Sequence, residues 1–351
     1  MRIASALVNV PWLAERLSSP ALSPLPLRVL DCSYYLPKHN RDQRAEYRQK
    51  HIPGALFFDI QFEAKMRVVS ALVGVPWLAE RVASPALSPI PFSVLQCIRN
   101  HNQESEHIPG ALFFNLQECS DKSSPYRNML PPTQQFESYV GDLGVDNSTH
   151  VVVYDGMDRG LFSAARVWWM FRVFGHPLVS VLNGGLVKWC ELGHPVTAEI
   201  PQVEKAKFTA TYNPSLVRDF DFVEKNLTQK SVQMVDSRSA NVFNGDADPA
   251  SKPDVGHMPG AINVPLGRIV DYETKIVKSP EKLKEMFSAS GVDLARPLVA
   301  SCGSGVTACG IALAAHLCGK EDVPVYDGSW SEWSKRAPPE NIVCGTHEKQ
   351  G

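Results

Sequence analysis

One segment could supply a nucleophile: Val299-Ala300-Ser301-Cys302-Gly303-Ser304-Gly305-Val306-Thr307-Ala308-Cys309, in which a cysteine closes an apolar run and a glycine-rich turn follows. Gly303 and Gly305 permit backbone conformations that other residues resist, so successive N–H groups can turn towards one point. That point falls at the N-terminus of a helix expected from about Val306, where the dipole and unpaired N–H groups favour negative charge. The dipole alone is worth up to about 2 kcal/mol and favours the thiolate, the nucleophilic form of a cysteine. The same ring of amides suits a persulfide, whose outer sulfur is also anionic. Ser304 and Thr307 offer hydroxyls at the rim. Cys302 and Ser304 are thus the candidate catalytic residues, with Gly303, Gly305, Val306 and Thr307 as candidate substrate binders. A buried, inert cysteine ending a strand is the bland alternative. The order strand, cysteine, glycines, helix argues against it.

The elements that must position this loop are legible as repeats. A recent, nearly literal one relates 5–30 to 70–95 at an offset of 65, and His51-Ile52-Pro53-Gly54-Ala55 to His107-Ile108-Pro109-Gly110-Ala111 at an offset of 56. An older one relates two halves about 150 residues apart. His107 to Ala111 answers His257 to Ala261, Gly144-Val145-Asp146 answers Gly291-Val292-Asp293, and Val151 to Asp155 answers Leu298 to Cys302. Asn183-Gly184-Gly185 answers Asp327-Gly328-Ser329. Asp155 therefore matches Cys302. An aspartate cannot carry a persulfide, so only the second half can be catalytic, and the first would form one wall of the cleft.

Short β-branched runs alternating with helical stretches predict an α/β fold, each half a parallel sheet flanked by helices. In the second half, strands are expected at 232–237, 261–265, 298–302 and 323–327, and a helix that Ser279 caps, Pro280 opens and Gly291 follows. The boundaries expected are a duplicated partial segment at 1–65, a first domain at 66–200, a linker at 201–213 and a second domain at 214–345. The linker is alternatively an extended arm embracing the first domain. The partial segment holds too few strands to bury both their faces alone, so it packs as an appendage or displaces the second copy.

Composition narrows the classes. Thirty-five basic against 37 acidic residues leave a net charge of −2, with no basic block to track phosphates, so no nucleic-acid partner is expected. No apolar run approaches a membrane span. Eight cysteines without a C-x-x-C pair indicate neither a disulfide scaffold nor a zinc site, and no metal or cofactor is expected. The start lacks an acid before Glu15, which fits a weak mitochondrial address; the cytoplasm is the other compartment considered. Asp236 and Arg238 read as a structural ion pair, His107 and His257 as hydrogen-bonded turn residues, and Cys309 and Cys318 as core. Trp168, Trp169, Trp330 and Trp333 read as core too, with Trp330 the one placed to line a pocket mouth.

The stretch Cys302-Gly303-Ser304-Gly305-Val306-Thr307 resembles the mercaptopyruvate sulfurtransferase and rhodanese family, as do Val235-Asp236-Ser237-Arg238, the paired His-x-Pro-Gly-Ala motifs and Tyr326-Asp327-Gly328-Ser329-Trp330. The likeness covers about residues 66–345. It implies two tandem rhodanese-like domains, the second catalytic, and a double displacement. Cys302 takes sulfur from a small-molecule donor, releasing pyruvate or sulfite, and passes it to cyanide or to a thiol acceptor such as thioredoxin. Thiosulfate-preferring members place Arg and Lys after the cysteine; Gly303 and Ser304 are similar instead to the mercaptopyruvate type. In that type the serine works with a His and an Asp as a proton relay. Here Asn128 stands at the His position and Gln117 at the Asp position. The family's substrate arginines are replaced within Asn241-Val242-Phe243 and Ala247-Asp248-Pro249-Ala250, leaving Arg127 and Lys252 as candidate substitutes. These departures keep a second reading open, a catalytically weakened sulfur carrier or binding protein. A cysteine phosphatase on this fold needs an arginine six residues after the cysteine, where Ala308 stands, so that reading fails.

Overall fold

The computed structural model describes residues 30–31, 56–57, 70–84, 91–98, 106–156, 161–246, 255–271, 273–321 and 323–345. The chain divides into two compact units, 1–68 and 69–351. In the smaller unit β1 (Leu30–Asp31) and β2 (Leu56–Phe57) pair in parallel, Leu30 opposite Leu56. Most of the duplicated segment lies outside the described residues, as do Lys252 and the stretch 247–250.

The larger unit holds two five-stranded parallel sheets. The first is built from β3 (Leu72–Val73), β4 (Phe92–Ile98), β5 (Leu112–Asn115), β6 (His150–Asp155) and β7 (Val179–Leu182), in the order β3-β7-β6-β4-β5. The second is built from β8 (Val217–Arg218), β9 (Gln233–Asp236), β10 (Ile262–Asn263), β11 (Leu298–Ser301) and β12 (Val325–Tyr326), in the order β10-β9-β11-β12-β8. Leu95 lies opposite Leu112 in the first sheet, the pairing that Leu30 and Leu56 repeat at offsets of 65 and 56. The second copy of the recent repeat therefore supplies β4 and β5 to the five-stranded sheet. The first copy makes a similar pair of its own.

The helices are α1 (Val75–Ala83), α2 (Thr133–Asp142), α3 (Ala164–Val173), α4 (Gly185–Glu191), α5 (Phe220–Gln229), α6 (Ala240–Asn244), α7 (Pro280–Ala289), α8 (Ala308–Leu317) and α9 (Ser329–Arg336). Ser279 caps α7 as expected, accepting from Lys282 N–H, and Gly291 follows with φ +82°. Strands in the second half are shorter than their apolar runs. The turn Pro259-Gly260 and Pro265 bound β10, and Pro324, without an N–H, precedes β12. Helix α3 is apolar almost all round and buried, because it packs between its own sheet and α8 of the other half. Trp168 meets His316 edge-on there, centroids 5.4 Å apart. One core cluster runs continuously through both helices and both sheets.

Residues 201–213 run extended along the first half. Ala206 and Ala210 N–H donate to Gly141 carbonyl and Glu137 Oε1, and Thr211 and Asn213 N–H to the carbonyls of Phe174 and Val173. Phe208 buries its ring among Phe136, Phe171 and His176.

Two buried histidines and a half-buried one make the fold acid-sensitive. Burial, reinforced by Arg81 and His176, pushes His150 down to about 4, and burial lowers His176 and His316 as well. Each is more basic in the unfolded chain, which therefore binds more protons between about pH 6.5 and pH 4. The stabilisation is full above that window and is lost as pH falls through it. His150 alone contributes about 3 kcal/mol. The expected result is a denaturant midpoint that drops steadily from about pH 6.5 to pH 4.5, with a shallower slope in His150→Gln. A midpoint independent of pH in that window contradicts the assignment.

Candidate active site

Cys302 follows the last residue of β11, and its surroundings hold the loop by its carbonyls. Ser329 Oγ accepts from Cys302 N–H at 3.1 Å and donates to Tyr326 carbonyl at 2.7 Å. The first free N–H groups of α9, those of Trp330 and Ser331, donate to the carbonyls of Cys302 and Gly303, both at 2.9 Å. Ser331 Oγ adds a second bond to Gly303 carbonyl at 2.6 Å. Gly305 carbonyl accepts from Arg166 Nη1 at 3.2 Å and from Cys309 Sγ at 3.2 Å. All these peptides are trans, so each N–H points opposite its carbonyl. Carbonyls 302, 303 and 305 face α9 and Arg166; the N–H groups of Gly303, Ser304 and Val306 consequently face the other way.

The first half shows what such amides hold. Phe113 lies opposite Gln96, and Gln96 opposite Tyr154; Asn263 lies opposite Asp236, and Asp236 opposite Ser301. With Phe113 and Asn263 matched by the His-x-Pro-Gly-Ala repeat, the next residues, Asp155 and Cys302, are equivalent. The Asp155 carboxylate is 1% exposed and sits at the start of α3. It accepts from the N–H of Phe162 at 2.6 Å, Ser163 at 2.7 Å and Ala164 at 3.1 Å. Burial pushes its carboxyl up, and those three N–H groups pull against that shift. Counting back from the helix, Val306, Thr307 and Ala308 are the equivalents in the second half. Among the described residues, no protein group accepts from their N–H groups. The cradle that a carboxylate fills in one half stands beside a cysteine in the other.

A buried cluster ties the halves together at this loop. Arg166, 1% exposed, donates Nη1 to Asp327 Oδ1 at 2.7 Å and Nη2 to Asn128 carbonyl at 2.6 Å. Burial is the largest influence and works against the Arg166 charge, but Asp327 and Cys309 together outweigh it and hold the guanidinium above its ordinary value. Asp327 Oδ2 accepts from Leu130 N–H at 2.8 Å. Asn128, at φ +62°, donates Nδ2 to Ser304 Oγ at 3.0 Å.

Of the residues singled out in the sequence, Cys302 is 2% exposed at the base of the loop, while Gly303, Ser304 and Thr307 are partly exposed above it. Gly305 and the Val306 side chain are buried, so Val306 can offer only its N–H. Thr307 does not cap α8, which begins at Ala308 instead of Val306; Ser237 Oγ, 2.8 Å away, engages its hydroxyl. Arg127 is exposed on the loop that carries Asn128. Lys252 lies outside the described residues. Arg238 and Asp236 form the ion pair read from the sequence, at 2.6 Å. His107 and His257 bond the carbonyls of Glu199 and Phe243. Trp330 does not line a mouth: it is 1% exposed beneath Arg238, whose Cζ lies 4.5 Å from its ring. Cys318, read as core, is half-buried at the end of α8. Arg166, Asp327 and Ser331 are additions that sequence reasoning missed. A charge inside the apolar run Ala164–Val173 was the available signal for Arg166. Among the described residues no group of three His, Cys, Asp or Glu side chains is placed to hold a metal, and no helix is long and apolar enough to cross a membrane.

The chain is similar to known proteins over most of its length. The rhodanese-like domain family matches residues 98–192 and 219–336. Human 3-mercaptopyruvate sulfurtransferase is 40% identical over 343 residues, covering 97% of this chain and 96% of that protein. Mouse thiosulfate sulfurtransferase is 45% identical over 345 residues, covering 96% of this chain and 95% of that one. Among solved structures, the sulfur transferase subunit of yeast mitochondrial complex I superposes with a TM-score of 0.69 at 32% identity, covering 79% of this chain and 100% of that one.

Proposed function

The chain belongs to the rhodanese-like domain family and is a sulfurtransferase of that family, within which we propose that Cys302 carries the transferred sulfur as a persulfide and that 3-mercaptopyruvate is the preferred donor. The observation that carries this reading is the pinning of carbonyls 302, 303 and 305 away from the loop's N–H groups, with the carboxylate-filled cradle of Asp155 as its counterpart in the first half. The Cys302 thiolate attacks the donor sulfur. The donor C–S bond breaks, its electron pair goes to carbon as the enolate of pyruvate, and protonation gives pyruvate. An acceptor thiolate, or cyanide, then attacks the outer sulfur, and the Cys302 thiolate departs. Because Ser304 Oγ accepts from Asn128, its own proton is free to be donated to the enolate. Asn128 itself has no titrating group, so the relay ends there.

Gly303 and Ser304 leave the loop uncharged, which suits a monoanionic 2-oxo acid better than the thiosulfate dianion. Arg127 is the exposed cation nearest in sequence to Asn128 and is assigned the donor carboxylate, with Lys252 as the second candidate. The acceptor is a small thiol or a protein thiol such as thioredoxin, and mitochondrial residence follows the likeness to the yeast subunit, with the cytoplasm as the other compartment. The residues 214–345 form the catalytic domain in this reading.

Intact-mass measurement after treatment with each donor tests the preference. One added sulfur per chain is expected with mercaptopyruvate at concentrations where thiosulfate gives little. Equal loading by thiosulfate overturns the donor assignment. No loading by either favours the weakened-carrier reading, for which the lost arginines speak.

A further inference from the structure

We propose that Arg166, which takes no part in bond making, is the positioning residue that aims the Cys302 loop; the inference rests on the persulfide reading above. Its guanidinium divides its donors among three segments: Gly305 carbonyl, the Asp327 carboxylate and Asn128 carbonyl. Holding Gly305 carbonyl in the interior turns Val306 N–H to the opposite side, because the peptide between them is trans. That N–H is the counterpart of Phe162 N–H, which meets the Asp155 carboxylate at 2.6 Å. Holding Asn128 carbonyl fixes the residue whose Nδ2 reaches Ser304. One buried side chain of the first half therefore sets both an amide and a hydroxyl of the loop that follows Cys302.

The packing leaves the loop no other way to sit. Gly305 has φ +73°, and a Cβ there would lie 2.6 Å from Asp327 carbonyl and 3.1 Å from Arg166 Nη1. The Arg166 ring contact with Trp169, 4.6 Å from Cζ to centroid, fixes the guanidinium plane. Asp327, Cys309 and Cys119 are the titratable groups that interact with it. A lysine, with a single donor centre, cannot span three acceptors in this fork geometry.

The test uses the full chain carrying Arg166→Met, Arg166→Lys or Asp327→Asn, the last retaining the guanidinium while weakening its anchor. The rate of Cys302 alkylation by iodoacetamide at fixed pH is followed by peptide mass spectrometry, beside donor kcat and KM and thermal unfolding. In folded Arg166→Met the rate of Cys302 alkylation at fixed pH is expected to fall about fivefold as the Val306 amide is released. Its kcat is expected to fall about 100-fold with KM within about threefold, as for loss of one aimed amide. Arg166→Lys should recover less than about a tenth of kcat. Should the Met variant fail to fold, the other two carry the same readouts. A folded variant with the wild-type alkylation rate and kcat overturns the inference, as do losses that only follow the unfolded fraction. If wild-type chain takes up no sulfur, the functional reading falls and this inference with it; uptake by wild type with unaffected variants sinks the inference alone.

Discussion

Cys302→Ser is expected to lose sulfur transfer by more than about 10⁴-fold while unfolding within roughly 1 kcal/mol of wild type. The loss is this large because no other group in the loop can form an S–S bond to the donor sulfur. Ser304 is a hydroxyl, and the only other thiol close by in sequence is Cys309. Cys309 is disqualified by its position: it is wholly buried in α8, it donates to Gly305 carbonyl, and burial pushes its thiol up despite the nearby Arg166 charge. Cys97 and Cys119 are likewise buried, with burial as the first cause of their raised values. Stability is spared in Cys302→Ser because the loop is held by main-chain carbonyls and by Ser329 and Ser331, not by the sulfur. The companion Cys309→Ser should keep turnover within a few-fold, a contrast measured by pyruvate release. Turnover surviving in Cys302→Ser, or vanishing in Cys309→Ser with the fold intact, places the chemistry elsewhere.

Asp155→Ala is expected to cost about 4 kcal/mol or more of stability. Its carboxylate satisfies three buried N–H groups at the start of α3, and each left unmet costs about 1–3 kcal/mol. Burial of the carboxylate is itself unfavourable, so an isosteric neutral residue is the informative comparison. Asp155→Asn should be little better than Ala, because its amide nitrogen must face another N–H donor. The vacated cradle remains a ring of aimed amides at a helix N-terminus, so sulfate should stabilise Asp155→Ala by more than its general stabilising effect on wild type. Denaturant titrations with and without sulfate measure this. An Asp155→Ala midpoint equal to wild type would show that those amides find partners without the carboxylate.

Much of this was legible in the residues. The two-half architecture follows from the His-x-Pro-Gly-Ala repeat, and the strand register then makes Asp155 and Cys302 equivalent, as their places at the ends of two strand-like runs indicate. The Cys-Gly-Ser-Gly spacing locates the loop because each part of it is local. Tertiary partnerships were not legible. Arg166 meets Gly305 across 139 residues and Asp327 across 161, and nothing local distinguishes it from Arg172, whose Cζ packs over Trp168. Asn128 reads as a missing histidine in the sequence, yet in the structure it still reaches Ser304. Trp330 was misplaced at an opening because its stacking partner, Arg238, comes from a different strand end. The helix begins at Ala308, two residues after Val306, with Thr307 at the N-cap position and its hydroxyl bonded to Ser237.

The most direct measurement is the position of the sulfur in donor-treated protein, read by digesting the mercaptopyruvate-loaded chain under non-reducing conditions and mapping all eight cysteines. One additional sulfur on the Cys302 peptide, with the other seven unchanged, is the result expected of a thiolate held beneath a ring of main-chain amides. Sulfur on Cys190 or Cys344, the exposed thiols among the described residues, with none on Cys302, contradicts it.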